Sequence, residues 1–414
     1  MNRVHTRLLG IALFLTLAPT VPATTWYVNG TSGNNANDCK SPTTACKTIG
    51  DAISRAASGD SVMVSAATYT EALTISLNLN VIGASASTTI IDGWASGTVV
   101  TISNTTARVT LSNLTIRNGK ASVGAGIRNA GTLTLSKSTV TGNSAPIPCH
   151  RLLMVCSSYG AALGGGIYNS GVLTISNSTI SANHAGSFCN ATPCSAVGGG
   201  IYNYGTQMVI ENSTLTGNSA STACSTGGHC AVGVGGAFYT LGGTVTLNNS
   251  TITGSSAYRC SGTCGGTGGA IVNGSGTFAM DNSTVSGNPA GGIVNGGTAT
   301  LQNSIVDNNA GINCGGTITI TSHGYNLSSD DTCKLNGPGD LNNHDPLLGP
   351  LQNNGGATQT MALLPGSPAI DGGNPSGCTD NQGHLLKTDQ RGMPRPDPED
   401  RGGCDVGAYE RQSD

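Results

Sequence analysis

The sequence predicts an all-β solenoid, a parallel β-helix, on three observations. An eight-residue phrase recurs along the middle of the chain: VTLSNLTI from Val109, LTLSKSTV from Leu133, LTISNSTI from Leu173, MVIENSTL from Met208, VTLNNSTI from Val245, FAMDNSTV from Phe278 and ATLQNSIV from Ala299. Its apolar residues alternate with Thr and Ser, a period of two that favours strand over helix. Between the phrases lie Gly-Gly and Gly-Asn pairs, which end strands and mark turns.

Spacing then sets the unit. The third residue of each phrase is Leu111, Leu135, Ile175, Ile210, Leu247, Met280 and Leu301, at steps of 24, 40, 35, 37, 33 and 21 residues. The shortest step is one bare coil, and longer ones are coils with inserts. The Leu-x-x-Leu-x-Leu frame of a leucine-rich repeat is absent. Composition agrees, since 9% of residues are charged, 4% aromatic and 62 are Gly, as stacked aliphatic rows with tight corners require. A net charge of −3 provides no footprint for nucleic acid or for an anionic membrane.

The ends differ from the middle. Residues 1–23 read as a secretory signal, with Arg3 and Arg7, an apolar run from Leu8 to Ala18, and a small-residue cleavage site at Val21-Pro22-Ala23. Export to the cell surface or beyond is the expectation, with no transmembrane segment once the signal is removed. In residues 24–59, Ile49, Ala52, Ile53, Ala56 and Ala57 recur at helical spacing, which predicts a short amphipathic helix capping the first coil. Coils occupy 60–339. From 340 to 414 the texture turns to Pro, Asp and Gly, which predicts a small closing module. Its Asp380, Asp389, Asp397, Glu399, Asp400 and Asp405 match no calcium-loop spacing and read as a solvated acidic surface.

One Asn position in the phrase, Asn113, Asn177, Asn212, Asn249, Asn282 and Asn303 with Lys137 as the exception, predicts an amide ladder or turn row across coils ~4.8 Å apart. A second row is Asn143, Asn183, Asn218, Asn288 and Asn308, with Ser255 breaking it. Four members of the first row begin Asn-Ser-Thr, so N-glycosylation is the rival reading.

The fourteen cysteines fall into neighbouring pairs: Cys39 with Cys46, Cys149 with Cys156, Cys189 with Cys194, Cys224 with Cys230, Cys260 with Cys264, Cys314 with Cys333 and Cys378 with Cys404. An even count in an exported chain predicts disulfides. The four central pairs all fall inside the inserts, so clasped loops are expected on one face. His150 beside Cys149 and His229 beside Cys230 admit metal binding, but the spacing is not that of a zinc site, and no metal or cofactor is expected.

Catalysis needs placed carboxylates. Asp92, Glu211, Asp281 and Asp307 are scattered among the coils, with Glu211 and Asp281 about two coils, ~10 Å, apart on one face. Arg108, Arg117 and Arg128 have no acidic neighbours in sequence. The GGGIYN segments at Gly164 and Gly198 lack the Lys-Ser/Thr of a phosphate loop; their Tyr168 and Tyr202 are expected to stack. No catalytic constellation emerges.

The Gly-Gly-x-Ile-Tyr-Asn and Ser-Thr-Ile-x-x-Asn frame resembles right-handed parallel β-helix proteins of bacterial surfaces. Gly268-Gly269-Ala270-Ile271 is reminiscent of chlamydial polymorphic outer-membrane protein repeats, although Ile180 and Leu215 stand where those carry Phe. NNGGATQT (Asn353 to Thr360), LLPGSPAIDGG (Leu363 to Gly373), TDQRG (Thr388 to Gly392) and CDVGAYE (Cys404 to Glu410) resemble the choice-of-anchor Q domain. The resemblance implies a bacterial exported protein of the pectin lyase-like fold and assigns no catalytic residue. The expected function is non-enzymatic binding or adhesion to glycan or protein through the loop face; the alternative is a polysaccharide lyase or hydrolase acting in the groove beside the coils.

Overall fold

The structure, a computed structural model, describes residues 22–412 apart from 147–148, 151–154, 157–160, 187, 190–193, 222, 225–230, 259–267, 381 and 399–402. It is a right-handed parallel β-helix. Among the described residues, eighteen strands form one long sheet and eleven a second, every pairing in both being parallel, so each coil bonds only to the coils beside it. The phrases align without slippage: Thr132–Ser136 pairs with Arg108–Ser112 below and Val172–Ser176 above. Their third residues form one row, Leu111, Leu135, Ile175, Ile210, Leu247, Met280 and Leu301, each 0% exposed. Large aliphatic side chains stacked in register fill the core with little need for aromatic ones.

The first Asn row plays a different part from a ladder. Asn113, Asn177, Asn212, Asn249, Asn282 and Asn303 have φ between 45° and 56°, as does Lys137 at 48°. Each turns the corner between the two sheets in the left-handed region, which Asn tolerates better than most residues. Within that row, one amide contact occurs among the described residues, from Asn303 to Asn282 at 3.0 Å. The ladder within the phrase belongs to the next residue: the backbone N–H groups of Ser138, Ser178, Ser213, Ser250 and Ser283 each donate to the hydroxyl of the Ser one coil on, at 3.1–3.2 Å.

True amide ladders stand elsewhere. The second row runs Asn143 to Asn183 at 2.9 Å and Asn183 to Asn218 at 3.0 Å. Its later rungs are Asn288, Asn309 and Asn313, so Asn309 and not Asn308 is the equivalent. Asn308 is a left-handed corner, at φ 46°. The Asn of GGGIYN makes a further ladder with that of the earlier GAGIRN, from Asn129 through Asn169 to Asn203. Outside it, Tyr168, Tyr202 and Tyr239 stack at 5.4 and 5.5 Å.

The inserts begin as regular wall. Ser144–Ala145, His184–Ala185, Ser219–Ser221 and Ser256–Tyr258 form one parallel sheet, and Ala161–Leu163, Cys194–Val197 and Ala231–Val234 another. Ala145, Ala162, Ala185, Ala196, Ala220 and Ala257 pack between them, a core thin enough for methyl groups alone.

The cysteines divide by position. Disulfides join Cys39 to Cys46, Cys314 to Cys333 and Cys378 to Cys404, which fits an oxidising compartment. The four expected clasps of the inserts rest on residues or side chains outside the described ones. Cys230, Cys260 and Cys264 lie outside the described residues, as do the side chains of Cys149, Cys156, Cys189, Cys194 and Cys224. Backbone register sets Cys149 opposite Cys156, the expected partner, and sets Cys189 beside Cys224 of the next insert.

At the N-terminal end the helix Ile49–Arg55 buries Ile49, Ala52 and Ile53 against the first coil. Thr48 caps it, accepting from the Asp51 N–H, and Glu71 accepts from the N–H groups of Ile49 and Gly50 at 2.9 and 2.8 Å. A carboxylate there satisfies orphan donors and opposes the helix dipole. No helix among the described residues is long and apolar enough to cross a membrane.

The C-terminal segment packs Leu363, Ala369 and Val406 against Ile305 and Leu327 of the last coils. Other stretches of it lie along the corners of earlier coils, a docking the sequence did not predict. Asn212, Asn249, Asn282 and Asn303, four successive corners, contact it: the Asn212 carbonyl accepts from Thr358, Asn249 donates to Thr388 O, Asn282 to Thr379 O and Asn303 to Asp405 O. Asn249 and Asn282 are 4% and 0% exposed, so neither can carry a glycan in this fold.

The acidic character of this segment is also internal. Asp389, Asp397, Asp405 and Glu410 are buried, contrary to the expected solvated surface, while Glu399 and Asp400 lie outside the described residues. Asp389 pairs with Arg391 at 2.7 Å and Glu410 with Arg395 at 2.8 Å. Burial pushes Glu410 up to about 7 from 4.5, with Arg395 offsetting part of the effect and Asp405 adding to it. Burial likewise raises Asp405 to about 6 from 3.8, despite backbone donors from Arg411 and Asp371. Both carboxyls therefore bind a proton more tightly folded than unfolded. Their stabilisation is full below about pH 4 and is lost as pH rises through about 6–7. Thermal melts across that window should show the midpoint falling with pH, and Glu410→Gln should flatten the fall; an unchanged slope in the variant would refute the assignment.

Candidate functional site

Two concave regions flank the second sheet. The first begins with Asp92, the last residue of strand Thr89–Asp92, and Arg117, the last of Thr115–Arg117; the two strands pair so that these residues are opposite. Arg117 Nε lies 2.8 Å from Asp92 Oδ2, which also accepts from Asn118 Nδ2 at 2.9 Å. Arg117 thus has an acidic partner 25 residues away, one invisible to a search for neighbours in sequence. Burial raises the Asp92 carboxyl, but bonds from the Trp94 N–H, Arg117 and Asn118 outweigh it and hold the group below its ordinary range. Asp92 is an ionised anchor and not a proton donor.

What it anchors is Trp94. Asp92 Oδ1 accepts the Trp94 N–H at 2.9 Å, and the Ala95 N–H donates to Asn118 O at 2.6 Å. Trp94 and Ala95 take φ of 45° and 52°, two consecutive left-handed residues with side chains. Such conformations persist only where the surroundings impose them, and they concentrate at functional sites. The result is an indole 78% exposed to solvent. It borders a cavity of about 550 Å³ with Thr70, Asn118, Lys120 and Ser144, and an adjoining one of about 460 Å³ with Glu71 and Ser96. Trp94 belongs to no motif in the sequence. The signal that could have found it is an Asp-Gly-Trp turn after a strand in a chain with only two tryptophans.

The second region, about 720 Å³, lies between the last coils and the segment that follows, lined by Ser286, Asp307, Ser329, Asp345, Leu347 and Met361 among others. Asp307 is 7% exposed and accepts from Ser286 Oγ at 2.9 Å. Burial raises its carboxyl; hydroxyl bonds from Ser286 and Ser329 offset part of this, and the charge of Asp345 adds to it.

Of the remaining sequence candidates, Glu211 and Asp281 do share a row, with Asn248 between them in register. Arg128 faces outward on the long sheet, in register with Tyr168 and Thr101. Arg108 begins its strand, exposed. His229 lies outside the described residues, as does the side chain of His150. Among the described residues, one cluster of three His, Cys, Asp or Glu side chains brings its ligand atoms together, Cys39, Cys46 and Asp51, and its cysteines are joined to each other. The tips of the inserts, where the loop-face expectation placed binding, lie outside the described residues.

No family model and no curated protein matches the chain. Among solved structures, pectate lyase Pel9A is similar over 95% of this chain and 98% of its own, at 14% identity and a TM-score of 0.44. Pectin methylesterase PemA from Erwinia chrysanthemi covers 75% of this chain and 90% of its own, at 14% identity and 0.35. The pectin methylesterase from Aspergillus niger covers 72% and 87%, at 16% identity and 0.33. The fold assignment rests on the strand pairing itself.

Proposed function

We propose that this protein binds a polysaccharide along the outer face of its second sheet, with Trp94 as the platform on which a sugar ring stacks. The exposed indole, on a backbone turn fixed by Asp92 and Asn118 and beside polar side chains, is the observation that supports this. A sugar presents an apolar ring face and a rim of hydroxyls. An aromatic surface flanked by an amide, a hydroxyl and charged groups complements both. Lys120 and the Asp92-paired Arg117 favour a ligand with carboxylate groups. We further propose that the chain is a bacterial exported protein, released through its signal segment, with residues 340–414 as a choice-of-anchor Q module.

A second reading, hydrolysis of the polysaccharide, is favoured by one feature: a buried carboxyl with a raised proton affinity, Asp307, in a cavity it shares with Asp345. Glycoside hydrolysis requires two placed carboxyls, one of them holding a proton to donate. An array of acidic and neutral polysaccharides, with assays for new reducing ends and unsaturated products, separates the two. Retention without product is expected. Product formation abolished by Asp307→Asn would replace binding with hydrolysis, and absence of any retained polysaccharide would remove the proposal.

A further inference from the structure

The seam between the solenoid and the returning C-terminal segment is short of donors. Seven buried side-chain oxygens among the described residues have no hydrogen-bond partner, and Asn212, Asn248, Asp281, Asn303 and Glu410 place five of them along this seam. Two of the five are neighbours by register. Asn248 and Asp281 occupy equivalent positions on successive coils, so their side chains stand side by side. Neither Asn248 Oδ1 nor Asp281 Oδ2 has a donor. Asp281 is 2% exposed and lies beneath the Thr379–Asp380 stretch, which is pinned there by Asn282 to Thr379 O at 2.8 Å and Gln302 to Thr379 Oγ1 at 2.9 Å.

The stretch brings a second carboxylate. Asp380 is close enough for its charge to act on Asp281. Asp380 is shaped by its own turn: Oδ1 accepts the N–H groups of Gln382 and His384, both at 2.9 Å, and Oδ2 faces His384 Nδ1 at 3.1 Å. Among the described residues, neither carboxylate forms an ion pair with Lys or Arg. A buried carboxylate beside an orphan amide oxygen, with the charge of a second carboxylate acting on it, is an uncompensated arrangement, costly unless something positive joins it.

We propose that Asp281, Asn248 and Asp380 form a binding site for a hard divalent cation of the calcium class, which ties the C-terminal segment to the coils. All three supply oxygen, the ligand atom such ions take, and water completes the six to eight positions they fill. The site is separate from the Trp94 groove and from the Asp307 cavity, and it stands or falls independently of both. Its role follows from its place: the cation bridges coil and segment, so binding it stabilises the docked state by mass action.

The test uses the full chain freed of metal with a chelator, then titrated with calcium chloride by calorimetry and by thermal melting. Wild type should bind with Kd about 10⁻⁴–10⁻³ M, as for extracellular modules, and its melting midpoint should rise with calcium. Asp281→Asn should weaken binding by about tenfold or more, since ligand charge sets the affinity of such sites. Asn248→Asp adds a carboxylate ligand and should tighten it. If Asp281→Asn does not fold, the Asn248→Asp result decides: tighter binding supports the site and unchanged affinity overturns it. Wild type that gives no heat and no shift, or Asp281→Asn that binds as wild type does, overturns it as well. An Asp281→Asn protein more stable than wild type, with calcium inert on both, assigns a shared proton to the two orphan oxygens in place of a cation.

Discussion

Replacing Arg395 with methionine should cost about 3–5 kcal/mol and detach the C-terminal segment from the coils. Arg395 is 2% exposed, and all three of its guanidinium nitrogens are bonded, one of them across the seam. Its Nε meets Glu410 Oε2 at 2.8 Å, one terminal nitrogen donates to Asn249 Oδ1 at 2.9 Å, and the other to Gly407 O at 2.8 Å. One side chain thus joins a solenoid corner to two residues of the closing CDVGAYE motif. Removing it strands the Glu410 carboxylate, whose other oxygen already lacks a partner. Chemical denaturation measures the loss, and limited proteolysis that releases residues from 340 onward locates it. Arg395→Met with Glu410→Leu should recover much of the deficit, because replacing both partners leaves no lone buried charge. A single variant within about 0.5 kcal/mol of wild type would remove the pair from any account of docking.

Trp94→Ala should weaken polysaccharide binding by about 2 kcal/mol, roughly 30-fold, while leaving the melting midpoint in place. The separation follows from exposure: at 78% the indole contributes little to packing, so its loss opens no cavity. Trp94→Phe should retain part of the affinity, since a smaller ring still offers an apolar face. Asp92→Asn should act through Trp94 by weakening the bond that orients it, with a smaller loss of affinity. Binding unchanged in Trp94→Ala, measured by calorimetry on the polysaccharide retained by wild type, would discard the groove.

The coils were legible because their information is local. Alternation within VTLSNLTI and its neighbours specifies which side chains point inward, and the spacing of the phrases specifies the stacking. The buried row from Leu111 to Leu301 follows from those two properties. The roles inside the phrase were harder to see. Asn and Ser both recur, and recurrence alone cannot say which of them stacks and which turns the corner. The backbone decides: a left-handed corner directs the Asn side chain out of the stack and leaves the following Ser to bridge coils.

The parallel β-helix, its repeating unit, its capping helix and the even set of cysteines are all written in the sequence, because each depends on residues within one coil of each other. The course of the C-terminal segment, the burial of its carboxylates, and the gathering of Asp92, Arg117 and Asn118 around Trp94 emerge only in three dimensions. Arg395 reaches Asn249 across 146 positions of the chain. No periodic signal spans such a distance. The physical reason is that a solenoid presents nearly equivalent corners along its whole length, and the direction of the returning chain selects among them.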